Sequence, residues 1–227
     1  IGIGDAAAGI LNLTNAEINN FQDGFSRIRI GGFDGGTVTI NAVTFGDPLT
    51  VEGDQIFVNG QITGIDDASV TLREAPTAST TYLSADIITH GNPVLIDDAL
   101  RVSGNRTIDT TNGGAFAGDD VTFNYDVDAD TAGSLTLGAG AGNVRFFDTV
   151  GDATPLTGLD IVSANDLTVD EAINVGSGGL TADVSGTIAV DGAIDALTTG
   201  RVALTSSKNI LMDSPGWSIT TVDGDVT

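Results

Sequence analysis

Between Leu159 and Ile219 the chain repeats itself. Leu159-Asp160-Ile161-Val162 lies over Leu180-Thr181-Ala182-Asp183 and over Val202-Ala203-Leu204-Thr205. Leu167-Thr168-Val169-Asp170 lies over Ile188-Ala189-Val190-Asp191 and over Ile210-Leu211-Met212-Asp213. Ile173 and Val175 lie over Ile194 and Ala196, and these over Trp217 and Ile219. Each step is about 21 to 23 residues. A period of that length made only of short strands implies a solenoid, whose units bury their apolar faces against their neighbours. Apolar and small polar residues alternate within each segment, so one side chain points inward and the next outward. Each period therefore reads as one turn of a parallel β-helix with three short strands, an all-β fold.

The pattern extends toward the N-terminus. Val121 and Phe123 precede Val144 and Phe146 by 23 residues, which precede Leu167 and Val169 by 23 again. Leu135 and Leu137 precede Leu159 and Ile161 by 24. Residues 121–227 are thus expected to form regular turns and 36–120 irregular ones. Nine turns would make a rod of roughly 45 Å at ~4.8 Å per turn. Residues 1–35 read as a lead-in segment. There Thr14-Asn15-Ala16-Glu17 has the spacing of a capping box, and Ile18, Phe21 and Phe25 follow at helical spacing as far as Gly24. A short helix between two strands is expected.

Composition narrows the function. Glycine reaches 31 residues and aromatics only 5%, which suits a narrow core with many tight corners. Eight basic residues against 31 acidic ones give a net charge of −23. Nucleic-acid binding needs clustered Lys and Arg, so it is not expected. The charge favours cations and keeps copies apart. The absence of cysteine removes thiolate metal sites and Cys nucleophiles. No apolar run approaches the ~20 residues of a membrane-spanning helix. The chain is expected to be a section of a longer protein.

Val121-Thr122-Phe123, Ser134-Leu135-Thr136-Leu137, Gly138 to Val144 and Thr154-Pro155-Leu156-Thr157-Gly158-Leu159 resemble the strand repeats of very large bacterial surface exoproteins of the filamentous-haemagglutinin adhesin type. Leu11-Asn12-Leu13-Thr14, through Gly24-Phe25-Ser26 to Ile30-Gly31, is similar to the segment that introduces such repeats. The resemblance implies a right-handed parallel β-helix and a secreted, cell-surface location. It implies no catalytic residue.

Several residues could carry chemistry. Asp170, Asp191 and Asp213 occupy one place in successive turns, so stacking would align three carboxylates ~5 Å apart. Like charges at that distance invite a hard cation such as calcium; the simpler reading is that each Asp caps its own corner. Asp126, Asp128 and Asp130 alternate like the opening of a calcium loop, but the Gly and Glu of that loop are missing. A solvated strand face or a turn accounts for them as well. The pairs Asp66-Asp67, Asp97-Asp98 and Asp119-Asp120 invite comparison with β-helix enzymes that cleave polysaccharides. The single histidine, His90, sits beside Gly91-Asn92-Pro93 and reads as a turn residue. Gly138-Ala139-Gly140-Ala141-Gly142 mimics a phosphate loop, but a strand pattern follows where a helix is needed. Trp217 reads as core.

The expected role is therefore structural and non-enzymatic: a stiff acidic rod of a secreted bacterial surface protein, serving attachment or extracellular filament and matrix assembly. No cofactor is expected apart from calcium at the Asp sites. Expected partners are further copies, through end-to-end or lateral contacts, and a host or neighbouring cell surface or its glycans. The alternatives are a cation-dependent module binding glycan or protein, and a polysaccharide-acting β-helix enzyme.

Overall fold

Leu159, Leu180 and Val202 share one interior column. They are direct partners in adjacent parallel strands and at most 1% exposed. The computed structural model describes residues 1–32, 36–74, 79–212, 218–222 and 224–227. It is nearly all β, with parallel sheets stacked into a β-solenoid of about 8 turns rather than nine. At ~4.8 Å per turn that makes a rod of roughly 38 Å.

One face of the rod is a nine-stranded parallel sheet. It contains Ile28–Gly31, Leu49–Gly53, Val70–Glu74, Val94–Asp97, Val121–Phe123, Val144–Phe146, Leu167–Val169, Ile188–Val190 and Ile210–Met212. The register follows the apolar-x-apolar pattern of the sequence. Val121 pairs with Val144, Val144 with Leu167, Leu167 with Ile188 and Ile188 with Ile210. Phe123 and Phe146 stack in the core with centroids 4.8 Å apart and planes 5° apart. The parallel ladder forces that spacing, because inward side chains of paired strands lie one strand apart.

The other two faces belong to a second parallel sheet. Ala99–Asp109, Val127–Gly138, Leu156–Ala164 and Ile173–Val184 each run from one of these faces round a corner to the other. Glycines make the bend: Gly104 pairs with Gly133 and Gly158 with Gly179. A Cβ on Gly133 would stand 2.6 Å from the Gly104 carbonyl oxygen, so the corner admits no side chain.

The early turns are in register too. Ile28 pairs with Leu49, Leu49 with Val70 and Val70 with Val94. The interval to Val121 is the widest because residues 110–120 leave the rod as a loop. Gly2–Ile3 pairs with Thr39–Ile40, so strands on both sides of residue 35 share sheets.

Two sequence expectations need correction. Ile194 pairs with Ile219 and Ala196 with Thr221, a slip of two residues from the alignment above. Trp217 and Asp213 lie outside the described residues. The N-terminal helix is a single turn, Asn15–Ile18. Its capping box is complete: the Thr14 hydroxyl accepts from Glu17 N–H, and the Glu17 carboxylate accepts from Thr14 N–H. Ile18 is buried, but Phe21 and Phe25 are 39% and 50% exposed. The helix has no apolar face beyond Ile18 to bury, and a helix that short depends on packing.

Candidate functional site

Several acidic residues, Asp98, Asp120, Asp126 and Asp166 among them, sit at corners just before a strand begins. Along the corner before the nine-stranded face runs a ladder of side-chain bonds. Asp120 Oδ1 accepts from Asn143 N at 2.8 Å and from Asn143 Nδ2 at 3.0 Å. Asn143 Oδ1 accepts from Asn165 Nδ2 at 3.0 Å and Asp166 N at 3.2 Å. Asp166 Oδ1 accepts from Thr187 N at 2.6 Å. Short acceptor side chains suit this place because they satisfy backbone N–H groups that no strand partner reaches.

Asp170 and Asp191 occupy equivalent positions in successive turns, directly after the paired residues Val169 and Val190. Their N–H groups donate to Phe146 O and Val169 O. Asp170 is ion-paired with Arg145, 2.9 Å away, and the Arg145 guanidinium lies 3.8 Å over the Phe147 ring. The same column contains Asn124, whose amide donates to Asp97 at 2.7 Å. It is a mixed column of acids, an amide and an aromatic.

Asp126, Asp128 and Asp130 have three different environments. Asp130 is exposed and accepts from Ser103 Oγ at 3.0 Å. Asp126 and Asp128 share Arg101, whose Nη1 is 2.7 Å from one and 3.0 Å from the other. Asp128 is 1% exposed because residues 151–155 fold over it. Its Oδ1 accepts from the N–H groups of Ala153 and Thr154. Burial pushes its carboxyl above the usual carboxylate range; the Thr154 N–H and Arg101 oppose that shift, and Asp126 adds to it. The guanidinium occupies the space between these two acids.

Of the acid pairs, Asp66 and Asp67 are both exposed, Asp119 and Asp120 are both half-buried, and Asp97 and Asp98 divide between surface and interior. Asp97 lies 3.5 Å from Arg73 Nε, whereas Asp98 is 1% exposed and accepts from Ser79 and Thr81 hydroxyls. Asp120 belongs to the corner ladder. His90 touches Asn112 Nδ2 at 3.2 Å and stacks on Phe116. The glycine-rich stretch before Asn143 runs into the strand Val144–Phe146, as its pattern predicts.

Asp23, Asp47 and Asp67 form a group that sequence reading missed. One carboxylate oxygen of each lies within 4.8 Å of the others. Asp47 is 2% exposed and accepts from Gly24 N at 2.8 Å. Their oxygens are the hard donors that calcium takes, of which it needs six to eight. Three separate turns contribute them, so only the stacking register brings them together.

No family model matches this chain, and neither a curated protein nor a solved structure matches it. Function must therefore be argued from the fold and from these side chains.

Proposed function

We propose that this chain is a section of a secreted bacterial surface protein, a stiff acidic rod that serves attachment or extracellular assembly. It acts mechanically rather than by catalysis. The observation that carries the reading is the unbroken nine-stranded ladder from Ile28 to Met212 with its apolar interior. Its hydrogen bonds run along the rod, so bending it strains every turn at once. The charge of −23 repels neighbouring rods at low salt. The resemblance to filamentous-haemagglutinin repeats supports a place at the cell surface.

The test uses the protein in the cells that produce it. Antibody labelling of intact cells, with protease shaving, should find the rod outside. Deleting its coding region should reduce attachment to surfaces or to other cells. Labelling only after lysis, or attachment unchanged by the deletion, would refute the proposal.

A further inference from the structure

One loop of the rod is built more firmly than its exposure requires. It leaves the solenoid after the strand Ala99–Asp109 and returns at Val121. Asp109 organises it. Its Oδ1 accepts from Thr111 N at 2.7 Å and from the Thr111 hydroxyl at 2.6 Å, and its Oδ2 accepts from Gly113 N at 2.7 Å. Phe116 N–H donates to Thr111 O. The Phe116 ring lies nearly parallel on His90, with centroids 4.6 Å apart and planes 17° apart. It nonetheless remains 42% exposed.

Between that ring and the rod lies a groove of about 410 Å³, floored by Gly138 and Gly140 and flanked by Thr107, Ser163 and Val162. Val162 is itself 49% exposed. The ring is seated on His90 on one side and keeps 42% of its surface open to a ligand. An aromatic platform beside hydroxyls suits a ligand with one apolar and one hydroxylated side. Ser163 Oγ accepts from Gly140 N and keeps its own proton to donate. Among the described residues lining the groove, Asp109 alone is ionisable, and its oxygens are already engaged by the loop. The chain as a whole repels anions.

We infer that this groove is a subsite for one ring of a neutral sugar. The C–H face of the ring stacks on Phe116, and its hydroxyls bond to Thr107 and Ser163. The inference goes beyond the rod reading and does not depend on it, because loss of sugar binding would leave the solenoid and its location unchanged.

The test is a titration of the ¹⁵N-labelled chain with maltotriose, cellotriose and triacetylchitotriose, and with trigalacturonate as the anionic contrast. At least one neutral sugar should bind in the range of roughly 1 mM, a value typical of one weakly held ring. Its amide shifts should cluster at Thr107, Gly138 and Ser163. Phe116→Ala should weaken binding at least about tenfold while lowering the melting temperature by only about 2–4 °C, the cost of the lost stack on His90, and Phe116→Trp should restore binding. The inference is overturned by no binding of any neutral sugar, by tighter binding of trigalacturonate, by shifts elsewhere on the rod, or by equal binding to Phe116→Ala.

Discussion

Arg101 reaches the buried carboxylate of Asp128 with Nη1, 3.0 Å from Oδ2, while the same nitrogen lies 2.7 Å from Asp126. One cation thus serves two acids, and one of them is removed from water. Burial raises the pKa of Asp128, so the folded chain holds its proton more tightly than the unfolded chain does. The stability this group contributes is fully present below the unfolded value, about 3.9, and is lost as pH rises through the folded value. Asp128→Asn resembles the protonated form, and its side-chain oxygen still accepts from Ala153 and Thr154. Thermal melts of both proteins from pH 4 to pH 7 should diverge as pH rises, with the wild type losing ground to the variant. Parallel curves would show that the burial of Asp128 has no energetic consequence.

The interior columns predict where stability resides. Leu159→Ala opens a cavity between Leu135 and Leu180, which are its partners in the neighbouring turns. It should cost about 2–5 kcal/mol in urea unfolding, and Phe146→Ala, which also removes the stack on Phe123, about 3–5 kcal/mol. Asp160→Ala, on the outer side of the same strand, should cost much less, though it loses a bond from Thr181. Equal losses at inner and outer positions would contradict a packed interior.

These columns were legible in the sequence because alternation fixes which side chains face inward. One strand slipped by a residue would turn Leu159 and Ile161 out together. Corners and loops impose no such rule. Residues 213–217 lie between Met212 and the last strand, and nothing in the apolar pattern fixes their number, so Ile194 was aligned with Trp217 instead of Ile219. The Asp23, Asp47 and Asp67 group escaped for a related reason. Its members stand at different distances from the paired residues Ile28, Leu49 and Val70, so no spacing links them. Phe116 and His90 meet only through a loop whose path depends on the bonds to Asp109. The capping box was legible, but the helix length was not, because packing rather than propensity ends a helix this short.

Asn143 links its own turn to Asp120 on one side and to Asn165 and Asp166 on the other, so its substitutions separate hydrogen bonding from charge. Asn143→Ala takes the Nδ2 donor from Asp120 Oδ1 and leaves Asp166 N–H without its side-chain acceptor. The backbone donor of residue 143 survives, so the cost should be about 1–2 kcal/mol. Asn143→Asp keeps the acceptor but places a third carboxylate between Asp120 and Asp166. It should destabilise more than alanine at pH 7, and less once the pH falls below about 4, where carboxylates protonate. Urea unfolding at both pH values distinguishes the two. If alanine were the more harmful at pH 7, the ladder would not be limited by charge.

Self-repulsion of the acidic surface sets the last expectation. The chain carries 31 acids and eight bases, and its described ion pairs engage only Arg29, Arg73, Arg101 and Arg145. Stacking brings outward residues of successive turns within ~5 Å, well inside the Debye length of about 10 Å at 0.1 M salt. Unfolding separates those charges, so repulsion favours the unfolded chain most at low ionic strength. Raising sodium chloride from 10 to 500 mM should raise the melting temperature by several degrees, since about 1 kcal/mol corresponds to roughly 2–4 °C in a chain of this size. Arg145→Gln, which leaves Asp170 without its ion-pair partner, should steepen that dependence. A melting temperature that falls with salt would mean that the few ion pairs outweigh the repulsion within the folded chain.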